Sequence, residues 1–286
     1  MAAMGLPPQV LIGVGIIHAN DPLTDRPGHP IGTGFAVGHF DDEAGTSAPF
    51  MVTARHVVDG MTPVWGLLRI NDETNETAAF KLNNWIYPDD PRIDLAIHVL
   101  QRTVNEPDRP ILTWSTKLFA DKFGVTPQYG ERVYYAGLHH LNPTTYKQVM
   151  PLVRTATLAG MGVPDQTWGT GRMWGPTKVF LIDGRPWPGY SGSPVFMESR
   201  VPGPVSDLTP PLAEAWKEQL IEVGGPDPDE LTSFYNFHAL LGILCAMEGG
   251  DPGFDGTVVP TGIGFVLPVS RLTELLDSPA AKGFLA

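Results

Sequence analysis

Cysteine is almost missing from this sequence. Cys245 is the single one among 286 residues, so no intramolecular disulfide can staple the fold. The chain must rely on apolar burial, and a reducing compartment is the simpler setting for it. One thiol is also too few for a structural zinc site of the cysteine-rich kind, and no metal or other cofactor is expected. Long apolar runs are missing as well. Val10–Ile17 is short, and no stretch approaches the ~18 residues of a membrane span. That run has no positively charged leader and no clear cleavage site, and it reads as a buried strand. The expectation is a cytoplasmic protein away from the membrane, or an exported one if a leader has been removed. Positive charge is scarce: 19 Lys and Arg face 31 Asp and Glu, for a formal net charge of −12. A surface with that balance does not suit phosphate neutralisation, which argues against nucleic acid as a main partner.

Turn-forming residues are plentiful. There are 32 glycines and 29 prolines, while apolar content is 42% and charged content 17%. This is the composition of a globular chain with a core and many short strands. Six candidate strands come first: Val10–His18, Ile31–Val37, Phe50–Ala54, Val64–Ile70, Ala78–Trp85 and Asp94–Leu100. Between them, Asn20–Pro30 reads as a loop, Asp41–Ser47 as a hairpin tip and Asn71–Thr77 as a turn. Their spacing predicts an all-β barrel rather than βαβ units. Gln101–Asp121 has no strong period and reads as a crossover, with a domain boundary near residue 110. A first domain over 1–110 and a second over 111–286 follow. The second set comprises Arg132–Gly137, Gln148–Ala159, Lys178–Asp183, Val195–Met197, Ala239–Met247 and Gly262–Val269. Ser270 is a candidate N-cap for a short terminal helix with Leu272, Leu275 and Leu276 on one side. Residues 198–236 exceed a minimal barrel. Leu212, Trp216, Leu220 and Val223 recur there at helical spacing, as a surface helix laid on the barrel or as a lid or docking element.

The chemistry concentrates in Pro188-Gly189-Tyr190-Ser191-Gly192-Ser193-Pro194-Val195-Phe196. Two glycines around a serine allow a tight turn that presents a hydroxyl and a free N–H together. Acyl transfer needs that geometry, because attack and oxyanion capture meet at one carbonyl. Ser191 is favoured over Ser193 because it lies between the glycines. A serine needs a base, and the base needs an orienting acid. His56 follows the apolar stretch Phe50–Ala54, and a histidine is the side chain that ordinarily titrates near neutrality. Asp94 stands at the mouth of an apolar strand, whereas Asp89 and Asp90 sit in a Pro-flanked turn. His98 in that strand reads as a packed or surface residue. His139 and His140 are adjacent, so on a strand they would face opposite sides and share no metal.

Thr53-Ala54-Arg55-His56, Asp94-Leu95-Ala96 and Gly189-Tyr190-Ser191-Gly192-Ser193-Pro194, in that order, resemble the chymotrypsin-fold (trypsin-like) serine peptidases. Gly32-Thr33-Gly34-Phe35 and Gly262-Ile263-Gly264-Phe265 resemble the bacterial branch, including Deg-type protease domains, here without a PDZ domain. The resemblance spans about residues 8–277. It implies two six-stranded Greek-key barrels, with His56 and Asp94 on the first and Ser191 on the second. It implies a serine endopeptidase acting on protein or peptide substrates without a cofactor, with Ser191 as nucleophile, His56 as base and Asp94 as orienting acid. The N–H groups of Gly189 and Ser191 would form the oxyanion hole. The primary specificity pocket would have Arg185 at its base and walls from Cys245–Met247 and Gly262–Gly264, giving a small apolar or acidic preference. Tyr190 stands where the digestive enzymes have the aspartate that pairs with a cleaved N-terminus, so that mode of activation is not expected. The rival reading is a silent or partner-gated module of the same fold that binds a peptide or protein.

Overall fold

The computed structural model describes residues 11, 13–41, 46–71, 76–100, 113–116, 119–122, 126–137, 149, 151–164, 178–201, 235–247 and 262–284. β-branched and aromatic runs broken by Gly and Pro become strands, as their packing on pleated surfaces favours. The first half builds β1 (Val14–Asp21), β2 (Arg26–Asp41), β3 (Thr46–Thr53), β4 (Val64–Asn71), β5 (Glu76–Leu82) and β6 (Ala96–Val99). Their order in the sheet is β5-β4-β1-β2-β3-β6, and the two-residue β7 (Trp114–Ser115) adds in parallel to β2. This path is open, unlike the closed barrel expected for the first half. The ring is completed only by a bridge, in which the chain leaving β5 meets β6 at Ile86–Ile97. The two residues exchange N–H···O bonds of 2.8 and 3.0 Å.

The second half is a closed six-stranded barrel. It comprises β8 (Arg132–Gly137), β9 (Leu152–Pro164), β10 (Lys178–Asp183), β11 (Pro194–Val201), β12 (Tyr235–Met247) and β13 (Ile263–Pro268), in the order β10-β13-β12-β11-β8-β9. Closure leaves no unpaired edge among these strands. Together the halves form an all-β, chymotrypsin-like architecture.

Two apolar clusters anchor the site. One joins Phe35, Phe50 and Leu95 of the first half to Tyr135, Tyr190 and Phe196 of the second. The other holds Met51, Ala54, Val57, Leu68 and Trp85. The neighbours of Asp94 and Ser191 in sequence, Leu95 and Tyr190, therefore lie in one packed core, and those of His56 lie in the next. Close packing of this kind resists small displacements.

Several local expectations change. The Asn20–Pro30 loop shrinks to residues 22–25, since β2 starts at Arg26. Pro27 and Pro30 are tolerated because this part of β2 pairs only with β1, so a missing N–H can face the unpaired side. Of the expected Gln148–Ala159 segment, the residues from Leu152 on belong to β9, which continues to Pro164. Its Leu152 and Val153 are exposed, while Ala156 and Leu158 point inward. The terminal helix α2 (Val269–Leu276) buries Val269, Leu272, Leu275 and Leu276, as its spacing predicts, but starts one residue before Ser270. β13 runs straight into it through Pro268, whose preset φ of −58° suits the cap position without a side-chain bond. A serine cap appears instead at Ser278, which accepts from the Ala281 N–H ahead of α3 (Pro279–Lys282). α1 (Arg55–Val58) is a single helical turn that carries His56. The boundary near residue 110 and the helical pattern of Leu212, Trp216, Leu220 and Val223 lie outside the described residues. On either side of that segment, Val201 pairs with Tyr235. Among the described residues no helix is long and apolar enough to cross a membrane.

Candidate active site

His56 is delivered by β3. The strand ends at Thr53, and the chain turns through Ala54 into α1, where buried Val57 and Val58 lock the turn against the core. Asp94 arrives just before β6, the strand paired with β3, and its side chain is 6% exposed. Its carboxylate grips His56 twice. Oδ2 lies 2.6 Å from the ring Nδ1, and Oδ1 accepts the main-chain N–H of His56 at 2.8 Å. The paired contact fixes both the ring and the backbone that carries it. Asp90 is committed elsewhere. It accepts the main-chain N–H and the guanidinium of Arg92, which holds its carboxyl down to about 2. Behind Asp94, the Cys245 thiol faces the Asp94 carbonyl oxygen at 3.5 Å and that of Ile243 at 3.4 Å. The buried Cys245 thiol thus lies against the main chain of Asp94.

The serine loop is two successive turns sharing Tyr190. In the first, the Tyr190 N–H bonds to Trp187 O at 3.2 Å, with Pro188 second and Gly189 third. In the second, the Ser193 N–H bonds to Tyr190 O at 2.9 Å, with Ser191 second and Gly192 third. Gly189 has φ 97° and Gly192 φ 87°. Positive φ at the third position with proline favoured at the second is the signature of a type II turn. The three-residue offset between the glycines thus follows from stacking two such turns.

Alternate peptide planes in this loop are held. The Gly189–Tyr190 plane gives its carbonyl to Thr33 Oγ1 at 2.7 Å and its N–H to Trp187. The Ser191–Gly192 plane gives its carbonyl to the Thr33 N–H at 2.9 Å and its N–H to Leu244 O at 2.8 Å. Thr33 O in turn accepts from Thr53 Oγ1 at 2.7 Å. In the planes that alternate with these, the N–H groups of Gly189 and Ser191 donate to no protein atom among the described residues. These are the two donors that the family resemblance implies. Ser193 is fully buried, with its hydroxyl turned towards Gly137, whereas Ser191 is partly exposed.

The remaining loop residues are packed or exposed in a clear pattern. Tyr190 is buried, its ring edge-on to Tyr135 at 5.3 Å, and its hydroxyl accepts from Arg154 Nε at 3.3 Å. Burial pushes both phenols up, Tyr135 to about 12, so both stay neutral under ordinary conditions. Arg185 is exposed in the left-handed region at φ 47°, and its N–H bonds to Gly262 O at 2.9 Å. A Cβ on Gly262 would lie 3.2 Å from Arg185 Cγ, and one on Gly264 would lie 3.1 Å from Pro186. The backbone of Met247 pairs with Gly264. Arg185, Gly262, Gly264 and the Met247 backbone are therefore gathered where the ends of β10, β13 and β12 adjoin. Among the described residues Arg185 makes no ion pair, with Asp183 or otherwise. His98 is packed, its ring edge-on to Trp85 at 5.5 Å, with Nε2 accepting the Asn83 N–H at 3.2 Å. Among the described residues no three of His, Cys, Asp and Glu converge as a metal site would require; His139 and His140 lie outside them. Sequence reasoning missed Thr33, Thr53 and Arg154 as supports of the loop. The one available signal for the turn geometry was Pro188-Gly189, the preferred pair for the two central positions of a type II turn.

A family model described as trypsin-like peptidase domain matches residues 32–201, more than half of the chain. None of the curated proteins compared matches. Among solved structures, the MamO protease domain from Magnetospirillum magneticum, in its apo form, is similar with a TM-score of 0.55 at 16% identity. That alignment covers 95% of this chain and 99% of the other. The HtrA-type protease AlgW, a serine-to-alanine variant with a tripeptide, gives a TM-score of 0.51 at 15% identity, over 95% of this chain and 61% of that one. At these identities the structural likeness speaks to the fold.

Proposed function

The chain belongs to the trypsin-like peptidase domain family, and on that premise we propose that it is a serine endopeptidase that cleaves peptide bonds through an acyl-enzyme on Ser191. The observation that carries the reading is the double contact of Asp94 with His56. With Nδ1 committed to the carboxylate, Nε2 is the ring nitrogen left for proton transfer. His56 takes the Ser191 proton as Oγ attacks the substrate carbonyl, and the resulting imidazolium is stabilised by Asp94. The developing oxyanion takes the uncommitted N–H groups of Gly189 and Ser191. His56 then passes its proton to the leaving amine, and water repeats the sequence on the ester. The substrate is a protein or peptide. The exposed Arg185 beside Gly262 supports an acidic residue ahead of the scissile bond.

The test is fluorophosphonate labelling of the purified protein, with the modified peptide mapped by mass spectrometry. Labelling at Ser191 should vanish in Ser191→Ala and fall strongly in His56→Ala. A folded protein that takes no label would overturn the catalytic reading in favour of a silent or gated module.

A further inference from the structure

Thr33 is buried on β2 in the first half of the molecule, yet it holds the serine loop of the second half at two points. Its hydroxyl donates to the Gly189 carbonyl and its main-chain N–H donates to the Ser191 carbonyl. These carbonyls belong to the two held planes that alternate with the planes carrying the Gly189 and Ser191 N–H groups. A third bond ties Thr33 O to the hydroxyl of Thr53, the last residue of the strand that leads into His56. Contact between the strand ends and the loop is close. A Cβ on Gly192 would collide with Thr33 O and the Thr53 hydroxyl, and one on Gly32 would lie 3.3 Å from Ser191 O.

We infer that the Thr33 hydroxyl is a positioning residue for the oxyanion hole. It fixes the Gly189–Tyr190 plane and thereby the aim of the Gly189 N–H relative to that of Ser191. This rests on the catalytic reading above. The physical argument is that a Pro-Gly turn has two forms, which differ by a flip of the central peptide. One presents the Gly189 N–H to the site, and the other presents the Pro188 carbonyl, which would repel an oxyanion. The turn keeps the first form only while φ at Gly189 stays positive. The Thr33 bond holds the carbonyl end of the Gly189–Tyr190 plane, and Trp187 O holds its N–H end, so the plane on the C-terminal side of that residue is fixed at two points. Removing the hydroxyl leaves the Gly189 carbonyl without its partner and frees the plane to rotate. The Thr53–Thr33 bond carries the same register back to the histidine strand, so base and oxyanion donors are set by one chain of contacts.

The test compares Thr33→Val, which keeps the shape and removes the hydroxyl, with Thr33→Ser, which restores it. The readouts are the rate of Ser191 labelling, kcat and KM on a cleaved peptide, and nuclear Overhauser cross-relaxation between Pro188 Hα and the Gly189 N–H. That cross-peak is strong only in the type II form. Thr33→Val should stay folded, lose about 10- to 10³-fold in labelling rate and kcat with little change in KM, and weaken the cross-peak; the upper limit is the usual loss for one oxyanion donor. Thr33→Ser should recover most of both signals. An undiminished cross-peak in Thr33→Val would overturn the inference, whether or not activity changes. A wild-type protein that takes no label, with the cross-peak still lost in Thr33→Val, would overturn the catalytic reading and leave the positioning role standing.

Discussion

Asp94 and His56 are joined through both carboxylate oxygens, one to the ring and one to the main chain. The two contacts separate chemistry from stability. Asp94→Asn keeps an oxygen for the main-chain N–H but presents the ring with an amide, which selects the wrong tautomer. Activity should fall by about 10⁴-fold, the size seen for this substitution in a related triad. Asp94→Ala also leaves a buried N–H without an acceptor and should lower stability by a further ~1–3 kcal/mol. Measuring kcat/KM and denaturant midpoints on both variants checks the split; equal stabilities for Asn and Ala would show that the main-chain contact contributes nothing.

Gly192 and Gly60 offer a paired test of the loop. Both have positive φ, 87° and 75°, but Gly60 has open space around it and Gly192 faces Thr33 and Thr53. Gly60→Ala carries only the backbone strain, about 1–2 kcal/mol. Gly192→Ala adds a collision with main chain and should cost more than ~3 kcal/mol or expel the loop, abolishing labelling. Thermal unfolding of the two variants decides it, and equal losses would mean that the loop is not seated on the strand ends.

Much of this was readable from the sequence, for a physical reason. Ser191, His56 and Asp94 sit where tight turns meet apolar strands, and both signals are local. The three-residue spacing of Gly189 and Gly192 also encodes its turns locally. Thr33 is different. Its hydroxyl acts on a carbonyl 156 positions away, and nothing around it in sequence names that partner. Nor does anything around Cys245 in sequence name the Asp94 carbonyl that its thiol meets, 151 positions away. Pro27 and Pro30 suggest a loop, yet a strand paired on one side accommodates them. Leu152 and Val153, at the start of β9, are apolar but exposed, and composition alone does not show it.

The terminal helix should behave as an integral part of the second half. Leu272 is fully buried in the cluster that also holds Tyr190 and Phe196. Leu272→Ala should destabilise by ~2–5 kcal/mol. Glu274→Ala, which breaks only an exposed contact with Arg271, should change stability by less than about 1 kcal/mol. Chemical denaturation of both variants measures this, and a mild Leu272→Ala would show the helix to be peripheral.

Acid should weaken the barrel through His238. The ring is buried on β12, edge-on to Tyr134 at 5.5 Å, and burial pushes its pKa down to about 4, with Glu198 opposing. An unfolded histidine takes its proton near 6.5. Between those values the unfolded chain binds more protons than the folded one, so stability rises with pH and is lost as pH falls from about 6.5 towards 4. The loss from this one group is on the order of 3 kcal/mol across the window. His238→Phe keeps a ring against Tyr134 and removes the titration. Its denaturant midpoint should therefore depend less steeply on pH over that range. A residual slope is expected, because burial also lowers His18 and His98. Parallel pH profiles for the wild type and His238→Phe would mean that His238 reaches water before the barrel opens.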